Sequence, residues 1–408
     1  MKLPKGWKMT RFGEVATFRN GLNFVLSDSG DVVPVVGVKG FQKHFSIGYE
    51  TLEQVQIAGR LSEDDLLRND DLLFVRSNGN KALVGRCLLI KNISKRISFS
   101  GFTIRARLTS ADMYSTFLGY FFHSGNARRE IDQAGGGTNI SNLSQDILAS
   151  IGIPLPPLPE QHKIAEILSA WDDGLEKLDA LIAAKERSKK GLMQQLLTGK
   201  RRVKGFSGKW QNYCFKDLLA MTDRYVKFDD GHTYKLISVR RRSGGVFFRE
   251  ALKGQDILTK TMKEVYVNDF LISRMQVVHG ALGMVRKDCD GMYVSDSYEV
   301  LVAVDPENLY MPFFDWLSRQ RSFWQLTLIC SHGVHIEKMT FNLEDFMRKR
   351  INIPADVNEQ CAIADILDAC DDELRLLRAQ RGAFDQQKRG LMQRLLTGAV
   401  RVRMEKYG

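Results

Sequence analysis

Gly191-Leu-Met-Gln-Gln-Leu-Leu-Thr-Gly199 is repeated as Gly390-Leu-Met-Gln-Arg-Leu-Leu-Thr-Gly398. Upstream of it, Glu160-Gln161, Ile164-Ala165 and Ile167-Leu168 return as Glu359-Gln360, Ile363-Ala364 and Ile366-Leu367. Both matches share an offset of 199 residues, and about half of the positions from Glu160 to Gly199 are identical in the second copy. Similarity held in one register over that distance marks an internal duplication, and it organises everything else.

Each copy has the spacing of a coiled-coil helix. Ile164, Leu168, Trp171, Leu175, Leu178, Ile182, Lys185, Lys189, Leu192 and Leu196 alternate by four and three, as do Ile363, Leu367, Cys370, Leu374, Leu377, Arg381, Phe384, Lys388, Leu391 and Leu395. Prolines precede each segment (Pro154, Pro156, Pro157 and Pro159; Pro354), and Gly199 or Gly398 closes it. At 1.5 Å per residue, rods of this length extend about 55 Å. Lys185, Lys189, Arg381 and Lys388 interrupt the apolar stripe, which suits a two-helix seam with solvent nearby better than a closed core. The helices are expected to pair antiparallel with each other and to leave their outer faces for a partner. The doublets Asp172-Asp173 and Asp371-Asp372 are expected on that outer face or at a partner contact.

The rods divide the chain into segments 1–153, 154–203, 204–353 and 354–408. The two globular halves are far more diverged than the rods, yet their landmarks keep one order. Trp7 and Phe12 answer to Trp210 and Phe215, Pro34–Lys39 to Lys235–Arg240, and Asp71–Arg76 to Asp269–Arg274. Each of these strand-like runs ends on a cation. Ser77-Asn78-Gly79-Asn80-Lys81 with Arg86 follows Arg76, and Met275 to His279 follows Arg274, giving loops whose donors and acceptors match base edges and phosphates. Gly136 to Asn139 and Ser331 to Glu337 form a matching pair of glycine-bearing loops ahead of the rods, and Arg240-Arg241-Arg242 and Arg348-Lys349-Arg350 are further basic clusters.

Composition sets the outer bounds. The 408 residues are 44% hydrophobic and 26% charged, the balance of a folded chain of two or three domains. The net charge of +11 suits a polyanionic partner. Neither an apolar run long enough to span a membrane nor a signal-like start occurs, and the six cysteines (Cys87, Cys214, Cys289, Cys330, Cys361 and Cys370) contain no C-x-x-C pair, which fits a reducing cytoplasm. The chain lacks a phosphate-binding G-x-x-x-x-G-K-[ST] loop, an H-E-x-x-H zinc motif and the paired motifs of an adenine methyltransferase. Cys330, His332 and His335 lie close in sequence, but no fourth ligand accompanies them, and the expectation is that the chain holds no metal.

Globular half, proline-rich approach, Glu-Gln-x-x-Ile-Ala helix and Gly-Leu-Met-Gln-x-Leu-Leu-Thr-Gly, all of it twice, resembles the specificity subunit of type I restriction-modification systems. The resemblance implies an α+β fold, with two mixed, β-rich target-recognition domains in a pseudo-two-fold arrangement joined by two long antiparallel coiled-coil helices. It implies a non-catalytic reader of double-stranded DNA, each half taking one part of a split target while the helices fix the spacer. The implied partners are two modification (adenine methyltransferase) subunits and the ATP-dependent restriction subunits. S-adenosylmethionine, ATP and Mg belong to those partners, with no cofactor bound by this chain. Target-reading residues vary across that family, so the DNA-binding set consists of loop positions found in both halves. These are Lys39 with Arg240 and Arg76 with Arg274, together with Ser77, Asn78, Asn80, Lys81, Arg86, Arg241, Gln276 and His279. The alternative reading is a scaffold whose lobes bind proteins; an enzyme with an active site of another kind is the third. A steep salt dependence of DNA binding separates the first from the second.

Overall fold

The computed structural model describes residues 3–23, 26–41, 52–57, 61–134 and 142–403. The loop Gly136 to Asn139 lies outside them. The rods form where the heptads place them, as helices Leu158–Leu196 of 39 residues and Val357–Leu396 of 40. Both stop at a glycine in the left-handed region, Gly199 at φ +69° and Gly398 at φ +70°. The second rod lacks the proline-rich approach of the first and is started by Asp356, whose Oδ1 accepts the Asn358 N–H at 2.9 Å. The chain folds as two compact units, Met1–Ala180 with Ala379–Gly408, and Leu181–Arg378, so each rod contributes a half to each unit.

In the first unit Ala16–Asn20, Thr103–Leu108, Leu72–Val75 and Cys87–Leu89 make an antiparallel sheet in that order. A second sheet orders Glu53–Ile57, Leu26–Val36 and Ser98–Phe99, the last pair parallel. Strand Leu72–Val75 is buried on both faces, which is why it reads as an unbroken apolar run. Leu72 and Phe74 enter an aromatic core with Phe12, Phe117 and Phe122, while Leu73 and Val75 enter another with Val36, Phe41 and Phe99.

The second unit repeats the plan. Leu219–Met221, Tyr298–Ala303, Phe270–Ser273 and Leu282–Met284 form one sheet, and Val246–Lys253, Thr233–Val239, Met292–Ser295 and Met262–Val265 the other. Phe270 and Ile272 enter the core around Phe215, Phe313 and Phe314, and Leu271 the one around Val239, Val265 and Val294. The aspartates that open the matched strands do the same job in both. Asp71 accepts the Arg68 N–H at 2.7 Å and takes Arg107 through two contacts of 2.8 Å; Asp269 accepts the Tyr266 N–H at 2.8 Å and pairs with Arg224.

The repeated Glu-Gln opens each rod because both side chains are buried and used. Gln161 Oε1 accepts the Tyr114 N–H at 2.9 Å, and Nε2 donates to the carbonyls of Asp112 and Pro156 at 2.8 and 2.9 Å. Gln360 does likewise with Tyr310, Asn308 and Pro354, all at 2.9 Å. Glu160, 3% exposed, receives two hydrogen bonds from Arg401 at 2.6 and 2.7 Å and one from Trp7 Nε1 at 3.1 Å. Glu359, 1% exposed, receives both of its from Arg202 at 2.5 Å. Each arginine stands three residues beyond the glycine that ends the opposite rod, so the tail of one rod latches the head of the other.

Between head and tail, the half-rods in each unit run antiparallel. Ile164 and Leu168 share a core with Leu391 and Leu395 in the first unit, as Ile363 and Leu367 do with Leu192 and Leu196 in the second. The structure divides the acid doublets: Asp173 and Asp372 are exposed as expected, whereas Asp172 and Asp371 turn to the seam. Asp172 faces the seam, where it pairs with Lys388 and accepts the Tyr120 hydroxyl at 2.7 Å; Asp371 pairs with Lys189 and with Arg319 at 3.4 Å. The seam lysines are tolerated because these carboxylates face them. The repeat breaks one turn further on. In the first unit Phe384 lies against Trp171 at a centroid distance of 4.5 Å and over Gly174, where a Cβ would approach it to 3.2 Å. The corresponding positions of the second unit are Lys185, Cys370 and Glu373, with Lys185 and Glu373 paired at 2.7 Å. An aromatic plug and an ion pair thus occupy the same place in the two copies.

Two stability predictions follow from these contacts. Arg401→Ala leaves the Glu160 carboxylate enclosed without its main partner and is expected to cost about 1–3 kcal/mol in urea unfolding of the full chain. Combined with Glu160→Gln, it should cost clearly less than the sum of the two single changes; simple additivity would contradict the latch. The second concerns Asp368, whose carboxyl is raised by burial despite the pull of Arg286 and the hydrogen bond from Trp316 Nε1 at 3.1 Å. A carboxyl whose pKa rises on folding favours the folded state while protonated. Its penalty is absent below about pH 4, the unfolded value, and complete above the folded value. Asp368→Asn keeps an acceptor for Trp316 and should raise Tm at pH 7 but leave it unchanged at pH 3.

Candidate nucleic-acid interface

In the first unit the loop after strand Leu72–Val75 is built by asparagines acting on their own backbone. Asn78 Oδ1 accepts the Asn80 N–H at 2.8 Å, and Asn80 Oδ1 accepts the Ala82 N–H at 3.1 Å, which starts the short turn Lys81–Leu83. Arg76 follows the strand directly and is strapped by its backbone, its N–H to the Phe102 carbonyl and its carbonyl to the Leu143 N–H, both at 2.8 Å. Ser77 and Asn78 line a cleft of about 740 Å³ with Val35, Lys39, Glu53 and Phe102. Lys39, expected at a strand end, lies instead in the turn Val38–Phe41, where Glu53 holds its ammonium at 2.9 Å and raises its pKa through that hydrogen bond and its charge. Phe102, 61% exposed at the cleft, carries no signal in the sequence. Lys81 and Arg86 are exposed, and Arg86 Nη1 reaches the Phe41 carbonyl at 3.5 Å.

The second unit gathers its loops more tightly. Arg240 directly follows strand Thr233–Val239 and opens a hairpin turn closed by the Arg240 N–H on the Gly245 carbonyl at 3.0 Å. Arg242 and Ser243 are left-handed at φ +58° and +52°, a conformation costing roughly 1–2 kcal/mol per residue without glycine. The surroundings impose it. The Arg242 and Ser243 N–H groups donate to the carbonyls of His279 and Gly280 at 2.7 and 2.9 Å, and Trp324 Nε1 donates to Ser243 Oγ at 3.0 Å. The arginine cluster and the Gln276–His279 loop, 34 or more residues apart in sequence, therefore form one tip.

The individual candidates differ in what they can offer a ligand. Arg240, Arg241 and Arg242 are exposed. Arg274, matched in sequence with Arg76, spends its charge inside the lobe on Glu299 at 2.6 Å and Asp296 at 3.8 Å. Gln276 Oε1 is enclosed with no hydrogen-bond partner among the described residues. Arg348 pairs with Glu344, and Arg350 donates to the Asn212 carbonyl. Cys330 is buried and His332 pairs with Asp345 at 2.7 Å; among the described residues no group of three ligand-type side chains converges. Ser243 and Trp324 extend the candidate set beyond the sequence reading. The Ser243-Gly244-Gly245 run announces the turn, whereas nothing local marks Trp324.

Comparison with known proteins supplies the context for these tips. Residues 4–184 match the family described as type I restriction modification DNA specificity domain. The chain is 26% identical over 222 residues to the EcoKI specificity subunit of Escherichia coli, which covers 52% of this chain and 46% of that one. It is 20% identical over 434 residues to the MjaVIII specificity subunit of Methanocaldococcus jannaschii, covering 99% and 95%. The chain thus spans about half of the first relative and nearly all of the second. In fold it is similar to the HsdS subunit from Thermoanaerobacter tengcongensis, at TM-score 0.54 and 16% identity over 98% of this chain and 99% of that one. A structure described as underlying complex assembly and conformational transition of the type I restriction-modification system gives TM-score 0.60 at 16% identity, over 98% and 100%.

Proposed function

We propose that this chain, a member of the type I restriction-modification specificity subunits, reads a bipartite target in double-stranded DNA, one part with each lobe. The observation that carries this reading is the duplicated construction. Two lobes that share the order of one four-stranded sheet each end a buried strand of it on an arginine beside a polar loop, and each is bound to a half of both rods. A duplicated reader suits two half-sites separated by unread base pairs, because major-groove readers on one face of a duplex recur about every 34–36 Å. Rods of 39 and 40 residues, about 60 Å each at 1.5 Å per residue, are long enough to set such a gap.

The same proposal assigns the chemistry elsewhere. This chain positions DNA without transforming it, and two modification subunits dock along the rods and use S-adenosylmethionine on adenine. Restriction subunits driven by ATP and Mg join that complex in the cytoplasm. The surplus of cations, 59 Lys and Arg against 48 Asp and Glu, supplies the nonspecific part of the attraction.

Equilibrium binding of the full-length chain to duplex DNA at graded salt tests the reading. Displacement of counterions from six or more phosphates predicts a loss of about a thousandfold or more between 50 and 200 mM salt. Affinity that is absent or flat across that range would favour the scaffold reading instead.

A further inference from the structure

We infer that Arg240 is the base-reading side chain of the second lobe, presenting its guanidinium fork to a guanine, and that Phe247, Trp324 and Gly280 are positioning residues that hold it there. This deepens the DNA-reading proposal above and rests on it.

Three adjacent arginines lie in the turn, and they are not equivalent. None has an ion-pair partner among the described residues, in contrast to Arg224, Arg274, Arg286 and Arg319 of the same unit, each of which has a carboxylate. An exposed cation without an acid is available to an anion or to a base edge. Arg240 alone also has a fixed plane, its guanidinium lying 4.0 Å from the centre of the Phe247 ring. Stacking of this kind holds a planar cation in one orientation and so reduces what is lost when it binds. A planar fork with fixed orientation is what bidentate recognition of guanine O6 and N7 requires. Arg241 and Arg242 carry their charges on side chains with no such contact among the described residues, and a charge without a fixed plane suits phosphates.

The backbone beneath Arg240 is held as firmly as its ring. The turn is bonded to the His279 and Gly280 carbonyls and to the Trp324 indole. Gly280 is left-handed at φ +73°, and a Cβ there would crowd Trp324 and the Arg242 backbone at 3.2–3.3 Å, so glycine lets the two loops close on each other without strain. The first unit fastens its own loop by another route. At Arg128, which occupies the place of Trp324 in the paired helix, the guanidinium donates to the Val84 carbonyl at 2.6 Å and pairs with Asp132. The Trp324 fastening therefore belongs to the second lobe and serves the arginine turn.

The test is selection of randomised duplexes by the full-length chain, followed by binding of the selected and of an unrelated duplex. Wild type should enrich a split motif containing a guanine in one part. Arg240→Lys, which keeps the charge and loses the fork, should make that guanine position tolerant and lower affinity for the selected duplex about tenfold or more, with binding to the unrelated duplex unchanged. Arg241→Ala should weaken both duplexes by the same factor. Trp324→Phe removes the hydrogen bond but keeps the ring, and should relax the same guanine position as Arg240→Lys while thermal unfolding is unaltered. Wild-type selectivity in Arg240→Lys, or relaxation at a different position, would overturn the inference and leave the DNA reading intact. A wild type that enriches no sequence would overturn the DNA reading itself.

Discussion

Two buried carboxylates, Glu160 and Glu359, bind the head of each rod to the residues that follow the other rod. Each opens a rod, each is almost wholly out of solvent, and each is neutralised by an arginine that arrives only after the other rod has ended. The contacts join residues 241 and 157 positions apart. A carboxylate so enclosed is costly without its partner, so the heads and tails of the rods are committed to each other. Neighbouring Gln161 and Gln360 commit the same turns to the lobes, by saturating backbone groups that would otherwise be buried and unpaired. Lobe, rod head and rod tail thus become one packed body within each unit, and the loops at the lobe tips inherit that rigidity.

The rods were legible in the sequence because their determinants are local and periodic. Heptad spacing, prolines before and glycines after locate both helices, and the 199-residue offset identifies them as copies. What the period does not show is which polar residues cross the seam. Asp172 and Asp371 read as outer-face residues, since nothing in the spacing reveals that Lys388 and Lys189 stand opposite them. The role of the Glu-Gln pair was equally hidden, because its partners come from remote segments such as Tyr114, Tyr310 and the residues past the glycines. Only long-range packing identifies them.

The lobes were legible as strands and only partly as sites. The runs at Leu72–Val75 and Phe270–Ser273 stand out because both of their faces are buried, and the cations that follow them do end the strands. The fate of those cations depends on the surrounding carboxylates: Glu299 engages Arg274 and Glu53 engages Lys39, while the turn at Arg240 is left with none among the described residues. Trp324, on a helix far along the chain, decides the shape of that turn. Divergence between the lobes at these tips, against repeated packing in the rods, is what the proposed reading of two different half-sites requires.

Mapping of modified adenines in DNA from a host that expresses this chain with a modification partner tests the account most directly. The proposed pair of readers in one chain predicts a split motif whose two parts are separated by one fixed number of unread base pairs. A single contiguous motif, or two parts separated by a variable gap, would contradict it.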